Sequence, residues 1–163
     1  MLFKMYAGRL MTICRRYAGD SHEAEDMLQE SFINIFKNIH QFKFLGSFEG
    51  WIRRITVNAS IQVLQKRKIR FTEISNVAFE PESPDNSILS GLDSEDLLKV
   101  ISQLPDGYRT VFNLYVLEGY AHEEIAQMMK IETATSRSQL SKARAMLREK
   151  INSLQKMRVS DDR

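Results

Sequence analysis

Between Thr133 and Lys142 the chain places Thr133, Thr135, Arg137, Ser138, Gln139 and Lys142 within three helical turns. Arginine can bridge the O6 and N7 of guanine, glutamine can pair with adenine, and hydroxyls and lysine can hold phosphates. A second collection, Arg53, Arg54, Asn58, Gln62, Gln65, Lys66, Arg67 and Lys68, interleaves amides with cations, a surface that suits phosphate and bases alike. Catalytic chemistry finds no comparable set. His22, His40 and His122 are scattered, and His122-Glu123-Glu124 lacks the second histidine of a zinc-binding HExxH helix. No P-loop, GxGxxG or GxSxG motif is present, and the single cysteine, Cys14, allows neither an intramolecular disulfide nor a CxxC pair. The residues therefore imply a binding protein, with no enzymatic activity, metal or cofactor expected.

The elements that would carry these residues are all helical. Leu2 to Ala18 has Leu2, Tyr6, Leu10, Ile13 and Tyr17 at spacings of three and four, and Gly19 ends it. Asp20 or Ser21 can cap a second helix running to about Asn38, with Ala24, Met27, Leu28, Phe32, Ile35, Phe36 and Ile39 as its apolar stripe. Asp26, Gln29, Glu30, Ile33 and Asn34 then lie on or near the opposite side. Ser47 is the expected cap of a third helix reaching about Lys68, with Phe48, Trp51, Ile52, Ile55 and Ala59 turned to the core. The second half reads as Asp93–Gln103, then Tyr108–Glu118 capped by Asp106, then a short helix His122–Met129 and a long one from Thr133 to about Lys156. A short helix, a tight turn and a longer basic helix form the outline of a helix-turn-helix.

Charge is sorted along the chain. Residues 31–70 carry eight Lys/Arg against one acid, residues 71–98 carry seven acids and no Lys/Arg, and residues 128–158 carry eight basic against two acidic residues. Two basic blocks separated by an acidic spacer suit a polyanion touched at two places. Pro81, Pro84 and several serines fall among the acids, so 71–92 is expected to be a linker between a domain at 1–70 and another at 93–158, with 159–163 as a tail. The expected fold class is all-α, two small helical domains. No run approaches the roughly 18 apolar residues of a membrane helix, and Met1-Leu2-Phe3-Lys4 has no signal-peptide pattern, so the chain reads as cytosolic.

Two sets of residues carry a resemblance. Glu25-Asp26-Met27-Leu28-Gln29-Glu30-Ser31-Phe32, with Gly46-Ser47-Phe48-Glu49-Gly50-Trp51-Ile52-Arg53-Arg54-Ile55 and Asn58, resembles the second conserved region of bacterial sigma factors of the extracytoplasmic-function group. Leu104-Pro105, with Tyr120 to Ala145, resembles that group's fourth region. The sequence departs from the group's pattern at Lys130 and Ala134, where glycine is usual, at Ala121 and Glu132, where serine caps are usual, and at Gln62, where aspartate is common. Thr133 could cap in place of residue 132. Relatives also commonly carry a further helix before the one at Leu2.

The resemblance implies a transcription initiation factor that binds core RNA polymerase and directs it to particular promoters. It assigns polymerase docking to Asp26, Gln29, Glu30, Ile33 and Asn34. It assigns reading and opening of the minus-ten element to a pocket lined by the loop Lys43, Phe44, Leu45 and Ser47, with Arg53, Arg54, Asn58, Gln62 and Lys66 along the strand. Trp51, on the apolar stripe, is expected in the core rather than in that pocket. Reading of the minus-thirty-five element falls to Thr133, Thr135, Arg137, Ser138, Gln139 and Lys142. An anti-sigma partner and a monomeric free state are implied as well. Two other readings stay open on the residues alone: a self-sufficient helix-turn-helix regulator whose first half senses or dimerises, and an interaction protein that reads no DNA.

Overall fold

The computed structural model describes residues 1–67 and 94–161, with side chains through Met157. The segment expected to be a linker and the tail beyond Asp161 lie outside the described residues. The chain divides into two compact units, Met1–Arg70 and Phe71–Arg163, and every described element is helical or a turn.

In the first unit α1 (Leu2–Tyr17), α2 (Ser21–Asn38) and α3 (Phe48–Lys66) pack together. Asp20 is the residue that caps α2: its Oδ1 accepts from the Glu23 amide at 2.8 Å, while Glu23 reaches back to accept from the Gly19 amide at 2.6 Å. This reciprocal pairing satisfies two amides that the helix start would otherwise leave without partners. Leu10, Ile13 and Tyr17 of α1, Met27, Leu28 and Ile35 of α2, and Ile52, Val57, Ile61 and Leu64 of α3 form the core.

The three helices meet closely through small side chains, Cys14, Ser31 and Ser60, all fully buried. Ser31 and Ser60 each donate to the carbonyl four residues earlier, so their hydroxyls enter the core with hydrogen bonds made. Burial pushes the Cys14 thiol up to about 11, against smaller opposing contributions from hydrogen bonds with Ser60 and Ser31. The thiol is accordingly a packing group rather than a reactive one.

The stripe expected on α2 does not stay buried to its end. Phe36 and Ile39 are 54% and 41% exposed. Phe3, in the first turn of α1, lies 4.7 Å from Phe32, one α2 turn before Phe36.

The second unit contains α4 (Ser94–Ser102), α5 (Asp106–Phe112), a π-helical turn (Asn113–Leu117), α6 (His122–Met129) and α7 (Thr133–Asp161). Asp106 is not a cap. Pro105 holds the capping position with no side-chain bond, and the Asp106 carboxylate instead accepts from Arg109. Arg109 is 2% exposed and also donates to the carbonyls of Ser102 and Leu104 at 3.1 and 3.0 Å, binding the Leu-Pro turn from within. The single helix expected over Tyr108–Glu118 loosens to i→i−5 bonding, with the Glu118 amide on the Asn113 carbonyl, before Gly119 turns the chain at φ +77°. Leu140, Ala143, Leu147 and Ile151 of α7 pack inward with Val111, Phe112, Leu114, Ile125 and Met129.

Candidate nucleic-acid interface

The loop between α2 and α3 is built around aromatic rings. Phe42 lies 5.2 Å from Phe48, 5.4 Å from Trp51 and 4.9 Å from Phe44, centroid to centroid. Ser47 caps α3 by accepting from the Gly50 amide at 3.3 Å, which turns the chain from this loop into the helix. Together they border an open hollow of about 510 Å3, lined by Phe42, Leu45 and Trp51 together with Gln41, Lys43, Ser47 and Arg54. Flat apolar walls beside two cations can stack an unpaired base and hold its phosphate.

Two expectations change here. Phe44 is not part of the lining: its backbone is left-handed at φ +55° and its ring projects outward, 87% exposed. Trp51, expected in the core, is half-buried, sharing the aromatic cluster while its remaining surface forms a cavity wall. Phe42 and Gln41 were missed. The aromatic Phe42, standing in a loop with no helical stripe to belong to, was the available signal.

Along α3, Arg54, Asn58, Gln62 and Lys66 follow at intervals of four, and all are exposed. They form one continuous row leading away from the cavity. Arg53 is about 100° around the helix from Arg54. It lines a different groove, between α1 and α3, with Arg9 and Arg16. The two adjacent arginines therefore serve different faces.

On α2, Gln29 and Ile33 are exposed and Asp26, Glu30 and Asn34 half-exposed, on one face of the helix. Asp26 lies 3.5 Å from Arg67, which also reaches Glu23.

In the second unit, α6 ends at Lys130, whose φ of +56° and ψ of +46° are left-handed. The Ile131 amide then bonds to the Ala126 carbonyl at 3.0 Å, closing the turn of the helix-turn-helix. Ala121 supplies no side-chain cap to α6, but its amide donates to Glu124 Oε2 at 2.8 Å. Thr133 does not cap α7. It is already the first helical residue, and the Ser136 amide bonds to the Glu132 carbonyl.

Arg137 is exposed and pairs with Glu123 of α6 at 3.2 Å, while Thr133, Thr135, Ser138 and Lys142 are half-exposed. Gln139 is the correction: it is 2% exposed, and its Oε1 has no hydrogen-bond partner among the described residues. Its place on α7, three residues after buried Ser136 and four before buried Ala143, turns it inward, so it does not present an amide to a ligand. His122 braces the two helices. Its ring stacks on Tyr115 at 4.5 Å, its Nδ1 lies 2.8 Å from Ser136 Oγ, and Arg144 lies over the Tyr115 ring at 5.9 Å. Burial lowers the His122 pKa, Arg137 and Arg144 lower it further, and Glu123 opposes them.

Residues 2–69 match the family model for sigma-70 region 2, and residues 94–147 the model for sigma-70 region 4. The chain is 30% identical over 153 residues to the ECF RNA polymerase sigma factor SigE of Mycolicibacterium smegmatis, covering 91% of this chain and 59% of that protein. It is 28% identical to SigW of Bacillus subtilis, covering 92% of this chain and 87% of that one. The fold is similar to that of the sigma factor RpoE in complex with the anti-sigma factor NepR from Bartonella quintana, with a TM-score of 0.55, 21% identity and coverage of 90% and 92%. Two regional models matched in order, on the two units that carry these surfaces, place the chain in the extracytoplasmic-function group of the sigma-70 family of transcription initiation factors.

Proposed function

We propose that the chain binds core RNA polymerase and brings it to particular promoters. The face of α2 formed by Asp26, Gln29, Glu30, Ile33 and Asn34 docks on the polymerase. The loop cavity, through Lys43, Leu45, Ser47, Trp51 and Arg54, takes an unstacked base of the opened minus-ten element, and the row Asn58, Gln62 and Lys66 follows the strand. Phe44, outside the lining, is available to the strand from the surface. The α6–α7 unit reads the duplex at the minus-thirty-five element through Thr133, Thr135, Arg137, Ser138 and Lys142.

The observation that carries this reading is the aromatic cavity opening beside an exposed row of amides and cations on a single helix. A sensing or dimerising domain has no use for that combination. The Bartonella protein is named as a complex with an anti-sigma factor, and we extend to this chain a partner of that kind and a monomeric free state.

Run-off transcription tests the proposal. Core polymerase with the chain should initiate at defined sites and core alone should not, and charge reversal at Asp26 and Glu30 should weaken core binding. Initiation nowhere, with the chain alone protecting a duplex operator, would establish the regulator reading instead.

A further inference from the structure

The ion pair between Glu123 and Arg137 crosses the helix-turn-helix from α6 to α7 at 3.2 Å. Beside it on both helices is a second crossing, His122 Nδ1 to Ser136 Oγ at 2.8 Å, and the two crossings span the same 14 residues. Ser136 is fully buried and the His122 ring stacks on Tyr115, so the inner crossing fixes the register of α6 on α7. That register sets Glu123 opposite Arg137. Arg137 itself is about 100° round α7 from Ser136, at the edge where the exposed face of α7 meets α6.

Both side chains are more than half exposed, and such a pair adds little to stability. Its effect falls instead on what Arg137 can bind. An arginine on a reading helix has two kinds of target on duplex DNA: a backbone phosphate, which carries no sequence, and the O6 and N7 of guanine, which do. A carboxylate beside the guanidinium opposes the full negative charge of a phosphate more than the partial charges of a base edge. Glu123 engages Nη2, which carries two hydrogens, so the fork retains the pair of donors that a guanine edge requires.

We infer that Glu123 is a specificity-determining residue of the minus-thirty-five reader: it positions the Arg137 guanidinium for a base edge and turns it away from the DNA backbone. Glu123 acts through Arg137 and touches no base itself. The inference rests on the proposal that Arg137 faces the minus-thirty-five duplex.

The test presents a pool of randomised, promoter-length duplexes to the chain assembled with core polymerase and sequences those that bind. Affinity for one enriched duplex and for one mixed-sequence duplex is then measured over a range of salt. Core is common to every sample, so differences between variants belong to the chain. Arg137→Ala should remove the preference at one base position. Glu123→Gln should weaken preference at that same position several-fold and bind the mixed-sequence duplex more tightly. It should also steepen the slope of log affinity against log salt by about 0.9, the contribution of one added phosphate contact. Glu123→Asp, which keeps the charge, should hold the wild-type slope. A merely structural role would move neither base preference nor salt slope, and thermal melting of each variant separates a changed contact from a lost fold. Should Arg137→Ala remove the preference while Glu123→Gln leaves it intact, or raises affinity for every duplex alike, the inference is overturned and Arg137 remains the reader. Should Arg137→Ala change no preference, the assignment of Arg137 to the duplex fails and the inference with it.

Discussion

Arg67, at the end of α3, lies 3.1 Å from the carboxylate of Glu23, buried at the start of α2. The other oxygen of that carboxylate accepts the amide of Gly19, so one acid joins the α1–α2 turn to the far end of the strand-following helix. Asp26, on the face assigned to the polymerase, is a second partner at 3.5 Å. A basic run that reads from sequence as a single nucleic-acid surface is thus divided. Lys66 points outward, and Arg67 fixes the geometry between α2 and α3.

Replacing Arg67 by alanine takes the ion-pair partner from a buried carboxylate that keeps the Gly19 amide. A fully buried pair would cost more, but the Arg67 side chain is 46% exposed and solvent screens part of the interaction. The expected loss is about 1–2 kcal/mol. Trp51 is the chain's single tryptophan and belongs to the first unit, so its fluorescence in a urea titration reports that unit. A lower midpoint at unchanged m-value is the expected result. An unchanged midpoint would show that the pair contributes nothing to holding α3 on α2.

Lys130 carries the backbone strain of the helix-turn-helix. Its left-handed conformation brings Cβ close to the following carbonyl, a cost that glycine does not bear. Lys130→Gly should therefore stabilise the second unit by about 1 kcal/mol, offset in part by the greater freedom of glycine in the unfolded chain. Thermal melting followed by circular dichroism would show a rise of a few degrees. A fall would mean that the lysine side chain makes a compensating contact.

The architecture was legible where it is written locally. Asp20 and Ser47 announce helix starts through their own side chains, and the stripes on α1 and, as far as Ile35, on α2 follow from spacing. What escaped depends on contacts outside an element's own stripe. Trp51 becomes a wall of the hollow because Phe42 of the loop packs against its ring, and Arg53 parts from Arg54 because only Arg53 lines the groove beside α1. Asp106 has the side chain of a cap, but Pro105 takes that position and Arg109 takes the carboxylate. Gln139 is a different failure. Its phase relative to Leu140, Ala143 and Leu147 is legible in the sequence, and the helical period outweighs the affinity of an amide for adenine.

Gln139→Met tests that correction. Methionine keeps the length and removes a buried carbonyl oxygen with no partner, whose desolvation costs on the order of 1–3 kcal/mol. Melting of the variant should be unchanged or raised, and preference among minus-thirty-five sequences should stay the same. Arg137→Ala, by contrast, should weaken DNA binding. Relaxed preference at one base position in Gln139→Met would restore the glutamine to the reading surface.

His122 makes the α6–α7 brace sensitive to acid. Burial and the nearby Arg137 and Arg144 make the folded protein bind a proton here less readily than an unfolded chain, whose histidine titrates near 6.5. Wherever the unfolded state holds more protons, stability rises with pH. The contribution of His122 is therefore complete above pH 6.5, declines as pH falls below that value, and levels off once the folded ring also takes its proton. His122→Asn keeps a polar group toward Ser136 but has nothing to titrate in this range. Melting temperatures of the second unit, compared between wild type and variant from mildly alkaline to mildly acidic buffer, should diverge, with the wild type losing more on acidification. Parallel curves would mean that the ring adopts its proton without disturbing the stack on Tyr115 or the bond to Ser136, and the brace would then be indifferent to charge.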